Sequence, residues 1–182
     1  MVVFCFALLD KWTRSNMRIA GYVVLVVAVA VGLSQLLYIR QQLPETVASH
    51  FGSGGKPDGF MARDSYLLLM AVLQIGLPLF MVAIAKGIRF MPNDLINVPN
   101  RQFWLSPLYR EFTLGYMEAM LVWISALTCI FLIAVNYLSY RANIEKSPLD
   151  EFSFISILVV FILFIVSICG LMFWRFRLPR TK

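Results

Sequence analysis

The chain has 182 residues, of which 60% are hydrophobic and 14% charged, and its mean hydropathy is +0.77. A soluble domain of this length needs more polar surface than that, so the composition excludes an ordinary globular protein and points to an exterior facing lipid. The net charge of +6 is gathered at the ends of apolar runs. There it reads as a topology signal and a contact with anionic head groups, and no nucleic-acid partner is expected.

Residues 1–16 open the chain. Met1 to Leu9 is apolar but too short to span, and Asp10-Lys11-Trp12 follows. This is the pattern of an interfacial segment, or of an extension, since Met17-Arg18 is itself a conventional start. A four-span membrane domain is expected over 17–182. A helix needs about 20 apolar residues to cross the hydrocarbon core, and the first such run is 19–39, bracketed by Tyr22 and Tyr38. Ala28-Val29-Ala30 mimics a signal-peptide cleavage motif, but the run continues to Leu37-Tyr38, which suits a retained span. Ala28 and Gly32 form a small-residue pair suited to close helix contact.

The first loop reads Leu43-Pro44-Glu45-Thr46-Val47-Ala48-Ser49-His50-Phe51-Gly52-Ser53-Gly54-Gly55-Lys56-Pro57-Asp58-Gly59-Phe60. Its glycines and Pro57-Asp58-Gly59 are turn formers that fold the segment back over the membrane surface. There is no GxxxxGK[ST], so it is not a nucleotide loop. His50, the chain's one histidine, stands near Glu45, Asp58 and Asp64. It either joins carboxylates and water around a metal or hydrogen-bonds the loop's own backbone. A structural metal site normally shows four ligands, so the backbone reading is preferred, with no metal and no cofactor expected.

The second span is expected at 66–85. Pro78 removes a backbone donor and clashes with the carbonyl of Gln74, so a bend is expected near Gly76 and the freed carbonyl must find a partner. Ala83 and Gly87 repeat the small-residue spacing. The second loop, Leu95-Ile96-Asn97-Val98-Pro99-Asn100-Arg101-Gln102-Phe103-Trp104-Leu105, is broken by prolines and asparagines. Phe103, Trp104 and Leu105 are expected to insert into the interface, with Arg101 and Arg110 at phosphates. A docking surface for a membrane partner needs the same residue types.

The string LPxxVxxHFxxxGxPDG of the first loop, with the Asn-Val-Pro-Asn and Phe-Trp segment of the second, resembles a bacterial membrane-protein family. That family carries a domain of unknown function, which also forms the front part of the immunity protein against the sporulation-delaying toxin. The resemblance runs from the first span to the start of the third. It implies a bacterial cytoplasmic (inner) membrane protein without a settled activity. The chain departs from the pattern at Gln102, where relatives often have an acidic residue, and at Leu108, where a glutamate often follows the proline.

The third span is expected at 116–138 and the fourth at 152–174, closed by Phe173 and Trp174. Glu118 is the one acidic residue within a span. About one turn from the edge, it is expected to reach Arg110 or lipid head groups, although intramembrane carboxylates also mark ion paths. Ser125 and Thr128 are suited to bonding across helices. The three cysteines form no CxxC pair, so neither a disulfide framework nor a cysteine metal site is indicated.

Eleven of the 16 Lys and Arg residues fall in the N-terminal segment, the second loop and the tail. The positive-inside rule puts these in the cytoplasm. The fold expected is therefore an all-α, integral membrane four-helix bundle with both termini cytoplasmic. No nucleophile lies beside a base and no cofactor motif is present, so no catalytic residue is assigned. A non-catalytic protein acting by binding is expected, foremost an accessory or stabilising subunit of a membrane complex, in contact with lipids and a membrane-protein partner or its own copies. The alternatives are a sensor or immunity-type protein with an outward ligand-binding loop around His50, and a small transporter or metal-dependent enzyme. Contact residues are expected at His50, Phe51, Pro57, Asp58 and Gly59 in the first loop. In the second they are Asn97, Pro99, Asn100, Phe103 and Trp104.

Overall fold

The structure, a computed structural model, describes residues 2–178, with side chains described from residue 15 onward. The expected interfacial packing of residues 1–16 therefore falls almost wholly outside the described side chains. Four helices are long and apolar enough to cross a membrane: Ser15–Arg40, Arg63–Phe90, Arg110–Glu145 and Glu151–Arg175. Each contains one of the runs expected from hydropathy. The chain thus reads as a multi-pass membrane protein, helical because a backbone in hydrocarbon must satisfy its own hydrogen bonds.

In chain order, α1 (Val2–Arg40) leads into a hairpin of β1 (Thr46–Phe51) and β2 (Pro57–Ala62). The second span comprises α2 (Arg63–Ala71), a π turn (Val72–Gly76) and α3 (Leu77–Gly87). A connection containing the short α4 (Arg101–Trp104) precedes α5 (Arg110–Glu145) and α6 (Glu151–Arg175).

The all-α expectation is corrected at the first loop, so the fold is mostly helical. β1 and β2 pair antiparallel, with Val47 opposite Met61 and His50 opposite Gly59, and bulges on either side of His50. α1 ends at Arg40, ahead of Leu43-Pro44, and the following Thr-Val-Ala-Ser-His-Phe run suits a half-buried strand better than a chain of turns. At the tip Gly54 and Gly55 have φ of 74° and 67°. Gly55 is doubly constrained, because a Cβ there would collide with the Leu149 carbonyl.

α5 is the hub, packing on α1, the second span and α6. Its 36 residues extend about 54 Å at 1.5 Å per residue, beyond the ~30 Å hydrocarbon core. Glu118, Ser125, Cys129, Asn136 and Asn143 recur along it at intervals of four and seven, which places them on one stripe. That stripe faces the other spans. Ser125 Oγ donates to the Pro78 carbonyl at 2.6 Å and Cys129 Sγ to the Gln74 carbonyl at 3.1 Å. The carbonyl that Pro78 deprives of a backbone donor thus finds one on the neighbouring helix. The π turn, with Leu77 N bonded to the Val72 carbonyl, accommodates the proline. Thr128 instead bonds its own helix at Ile124.

Of the small-residue pairs, Ala28 is buried against Ala126 and Cys129, and Gly32 faces Ile133 and the Gln74 amide. Ala83 and Gly87 are exposed. α6 packs chiefly on α5 and has no buried residue. Its start is capped by Asp150, whose carboxylate accepts from Ser153 N at 3.1 Å and Ser153 Oγ at 2.6 Å.

Candidate functional site

The first-loop residues come together at the hairpin end of the bundle. Asn143 on the overhanging part of α5 treats β1 as a strand would. Its Oδ1 accepts from Ala48 N at 2.7 Å, and its Nδ2 donates to the Ala48 carbonyl at 3.0 Å. The hairpin tip is tied to the start of α6, where Glu151 Oε1 accepts from Gly55 N at 2.9 Å and Leu149 N donates to the Gly55 carbonyl at 2.8 Å. Two independent latches thus hold the hairpin as a roof across the helix ends.

Beneath it lies a crevice of about 270 Å³ bounded by β1, α2, α5 and the first turn of α6. Its walls are apolar, from Met70, Val135 and Phe154, while Tyr66, Asn136 and Ser139 supply a polar floor. The Tyr66 hydroxyl, fully buried, is 2.7 Å from Asn136 Oδ1 and 2.9 Å from Ser139 Oγ. Asn136 Nδ2 donates to Gln35 Oε1 at 2.9 Å, and Gln35 Nε2 to the Ile133 carbonyl at 2.9 Å. This chain of bonds fixes the floor, since a buried polar group left unpaired costs about 1–3 kcal/mol.

His50 and Phe51 line the crevice. Phe51 and Pro57 also line a groove on the other face of the hairpin, with Phe60 and Pro148. His50 Nδ1 is paired with Asp58 Oδ1, both side chains exposed, and Gly59 lies opposite His50 with space for no side chain, since a Cβ would stand 2.9 Å from that of His50. Of the three carboxylates weighed for His50, the structure brings Asp58 to it. Among the described residues no group of three His, Cys, Asp or Glu side chains gathers.

The second-loop residues lie at the opposite end, and their role there is internal. Asn100, in the left-handed region at φ 53°, donates from Nδ2 to the Phe176 carbonyl at 2.8 Å, and Trp104 Nε1 donates to the same carbonyl at 2.9 Å. Trp104 is 5% exposed and Leu105 3%, which corrects the expectation that they insert into lipid. Arg175 lies over the Trp104 and Phe112 rings, and Phe103 stacks on Tyr109 at 4.7 Å. Asn97 is exposed and Pro99 half-buried. Arg110 staples the loop through Asn93 Oδ1 and the carbonyls of Arg89 and Met91, so it is not displayed to phosphates.

Glu118 is buried and accepts from Arg89 Nη2 at 2.9 Å, Tyr22 OH at 3.1 Å and Arg18 Nη1 at 3.2 Å. The expected partner, Arg110, lies instead 3.7 Å from Glu111. The carboxylate joins three spans at the end bearing the second loop, as a buried charge must be paired. The sequence reading missed Asn143 and Glu151, the residues that position the roof. The signal available for Asn143 was its place on the polar stripe of α5.

Residues 23–75 match a domain of unknown function, DUF1648. The matched stretch runs from α1 through the hairpin into the π turn, so it supplies the roof and one wall of the crevice. An uncharacterized protein from Archaeoglobus fulgidus is 48% identical over 61 residues, covering 34% of this chain and 31% of that protein. The chain therefore matches about a third of that relative's length. No solved structure matches.

Proposed function

We propose that the chain is a non-catalytic membrane protein that acts by binding, and that its binding part is the crevice under the hairpin. The supporting observation is the double latch of Asn143 on Ala48 and Glu151 on Gly55. It preorganises an open, mostly apolar space with a fixed polar floor, and preorganisation lowers the entropic cost of recognition. The clustering of Lys and Arg argues for a cytoplasmic membrane with both termini inside, so that the crevice faces outward. The likeness of the hairpin sequence to the front domain of an immunity protein favours an outward recognition role of the sensor or immunity type.

Native mass spectrometry after mild-detergent extraction tests this. The wild-type protein is expected to carry a bound non-protein mass that is lost when Val135→Trp fills the crevice and retained in Phe164→Ala, a change on the exposed side of α6 outside the crevice. Phe154→Trp, which fills it from another helix, should act like Val135→Trp, and unchanged melting of either variant separates occlusion from misfolding. A wild-type protein with no bound mass contradicts the reading.

An accessory-subunit role has one observation of its own. Ala83 and Gly87 lie on an exposed face of α3, and a Cβ at Gly87 would meet nothing within 4 Å, which leaves room for a neighbouring helix. A stoichiometric protein partner in the same spectrum, lost on Gly87→Leu, would favour it.

A further inference from the structure

We infer that the crevice takes the apolar chain of an ammonium-headed lipid, entering sideways from the leaflet at the hairpin end. The inference rests on the binding role proposed above and names the ligand class. Four observations carry it.

The first is the opening. The start of α6 packs on α5, α2 reaches α5 through the Tyr66 hydroxyl on Asn136 and Ser139, and α2 and α6, which both line the crevice, make little contact with each other. Met70 and Phe154, on either side of this gap, both belong to segments long and apolar enough to cross a membrane. A ligand already dissolved in the bilayer reaches the crevice without crossing water.

The second is size. A volume of about 270 Å³ holds on the order of nine groups of roughly 30 Å³ each, the share of one water in liquid. That matches part of one alkyl chain and is too small for a folded partner or a helix.

The third is the wall chemistry. Met70, Val135 and Phe154 are apolar, and the thioether of Met70 adapts to an irregular chain. The floor polar groups are engaged with one another, so they do not demand a hydrogen-bonding ligand.

The fourth is charge. The lining holds one carboxylate, Glu151, and His50, with no Lys or Arg. Glu151 Oε1 accepts from Gly55 N, which fixes the carboxylate at the rim. A fatty-acid carboxylate would meet a like charge there, whereas an ammonium would gain a charge-assisted hydrogen bond. Lipid heads therefore lie at the rim beside Glu151, with the chain directed down between α2 and α6.

The test uses the full chain in lipid nanodiscs and a photoreactive long-chain alkylamine, with adducts located by mass spectrometry. Saturable labelling is expected at Met70, Val135 or Phe154. Unlabelled alkylamine should compete about ten-fold better than the fatty acid of the same length, the ratio one charge-assisted bond supplies. Glu151→Gln should erase that preference while labelling continues, and Val135→Trp should abolish crevice labelling. Labelling at Phe164, which is exposed on α6, should remain unsaturable in every variant. Unsaturable labelling at Phe154 equal to that at Phe164, or equal competition by amine and acid, overturns the inference. If a native mass is lost on Val135→Trp yet alkylamine does not compete, the ligand class is wrong and the binding role stands. A wild-type protein with no bound mass removes both.

Discussion

Asn143 engages both backbone polar atoms of Ala48, its N–H and its carbonyl, with one side-chain amide, at 2.7 and 3.0 Å. A residue 95 positions away thereby takes the part of a third strand, and a two-stranded hairpin that would be marginal alone is held on a helix. Asn143→Ala is expected to leave the Ala48 N–H without its acceptor and to cost about 1–3 kcal/mol. Hydrogen exchange should rise at Ala48 and its β1 neighbours while α5 stays protected. Unchanged exchange in β1 would show that the Gly55 contacts suffice.

The Glu118 cluster is a second joint. Glu118→Gln removes the charge that faces Arg18 and Arg89 while keeping the shape. Both arginine side chains are about a third exposed, so solvent screens part of the loss, and a cost of about 1–3 kcal/mol is expected. A double-mutant cycle with Arg89→Met should show coupling well above zero. Additive effects would mean that the ion pair contributes nothing of its own.

Ser125 answers the carbonyl of Pro78 across the bundle at 2.6 Å. Ser125→Ala should cost about 0.6–2 kcal/mol, the range for interhelical bonds in membranes. Thr128→Ala removes a hydroxyl bonded to its own helix and should cost less. Thermal unfolding of the two variants in one detergent makes the comparison.

Trp104 and Asn100 meet at the Phe176 carbonyl. Trp104→Phe keeps a ring over which Arg175 can lie but deletes the Nε1–H, so the C-terminal end of α6 should loosen by about 1 kcal/mol. Faster limited proteolysis after Phe176 would report it. An unaltered rate would place the anchoring on Asn100 alone.

Asp150 supplies the pH dependence. Hydrogen bonds from the Ser153 hydroxyl and backbone N–H hold its carboxyl below the usual aspartate range. A depressed pKa gives stability that is present above the unfolded value, about 3.9, and lost as pH falls through the folded one. Hydrogen exchange in the first turn of α6 should therefore be flat from neutral pH to about 4, after correction for intrinsic rates, and rise below it. In Asp150→Ala the turn should exchange faster with no such step.

The spans and the partner required by Pro78 were legible because both follow from residue type alone: apolar run length, and a missing N–H. The hairpin was obscured by its own glycines, since Gly52, Gly54 and Gly55 mark turns equally well whether or not strands flank them. Glu118 reads as an interfacial carboxylate until Arg18, 100 positions away, is brought beside it. Trp104 illustrates a different ambiguity, because an aromatic near a membrane surface suits lipid and protein alike, and its burial depends on where α6 ends. The crevice combines four elements and has no local signature, although Asn136 and Asn143 on the stripe that carries Ser125 marked the face of α5 that matters.

The structure of the wild-type protein in nanodiscs formed directly from its own membrane, determined by electron cryomicroscopy, bears most directly on the binding role. Elongated non-protein density is expected between Met70 and Phe154, ending at Glu151. A crevice closed by α6 moving onto α2, with no such density, would contradict it.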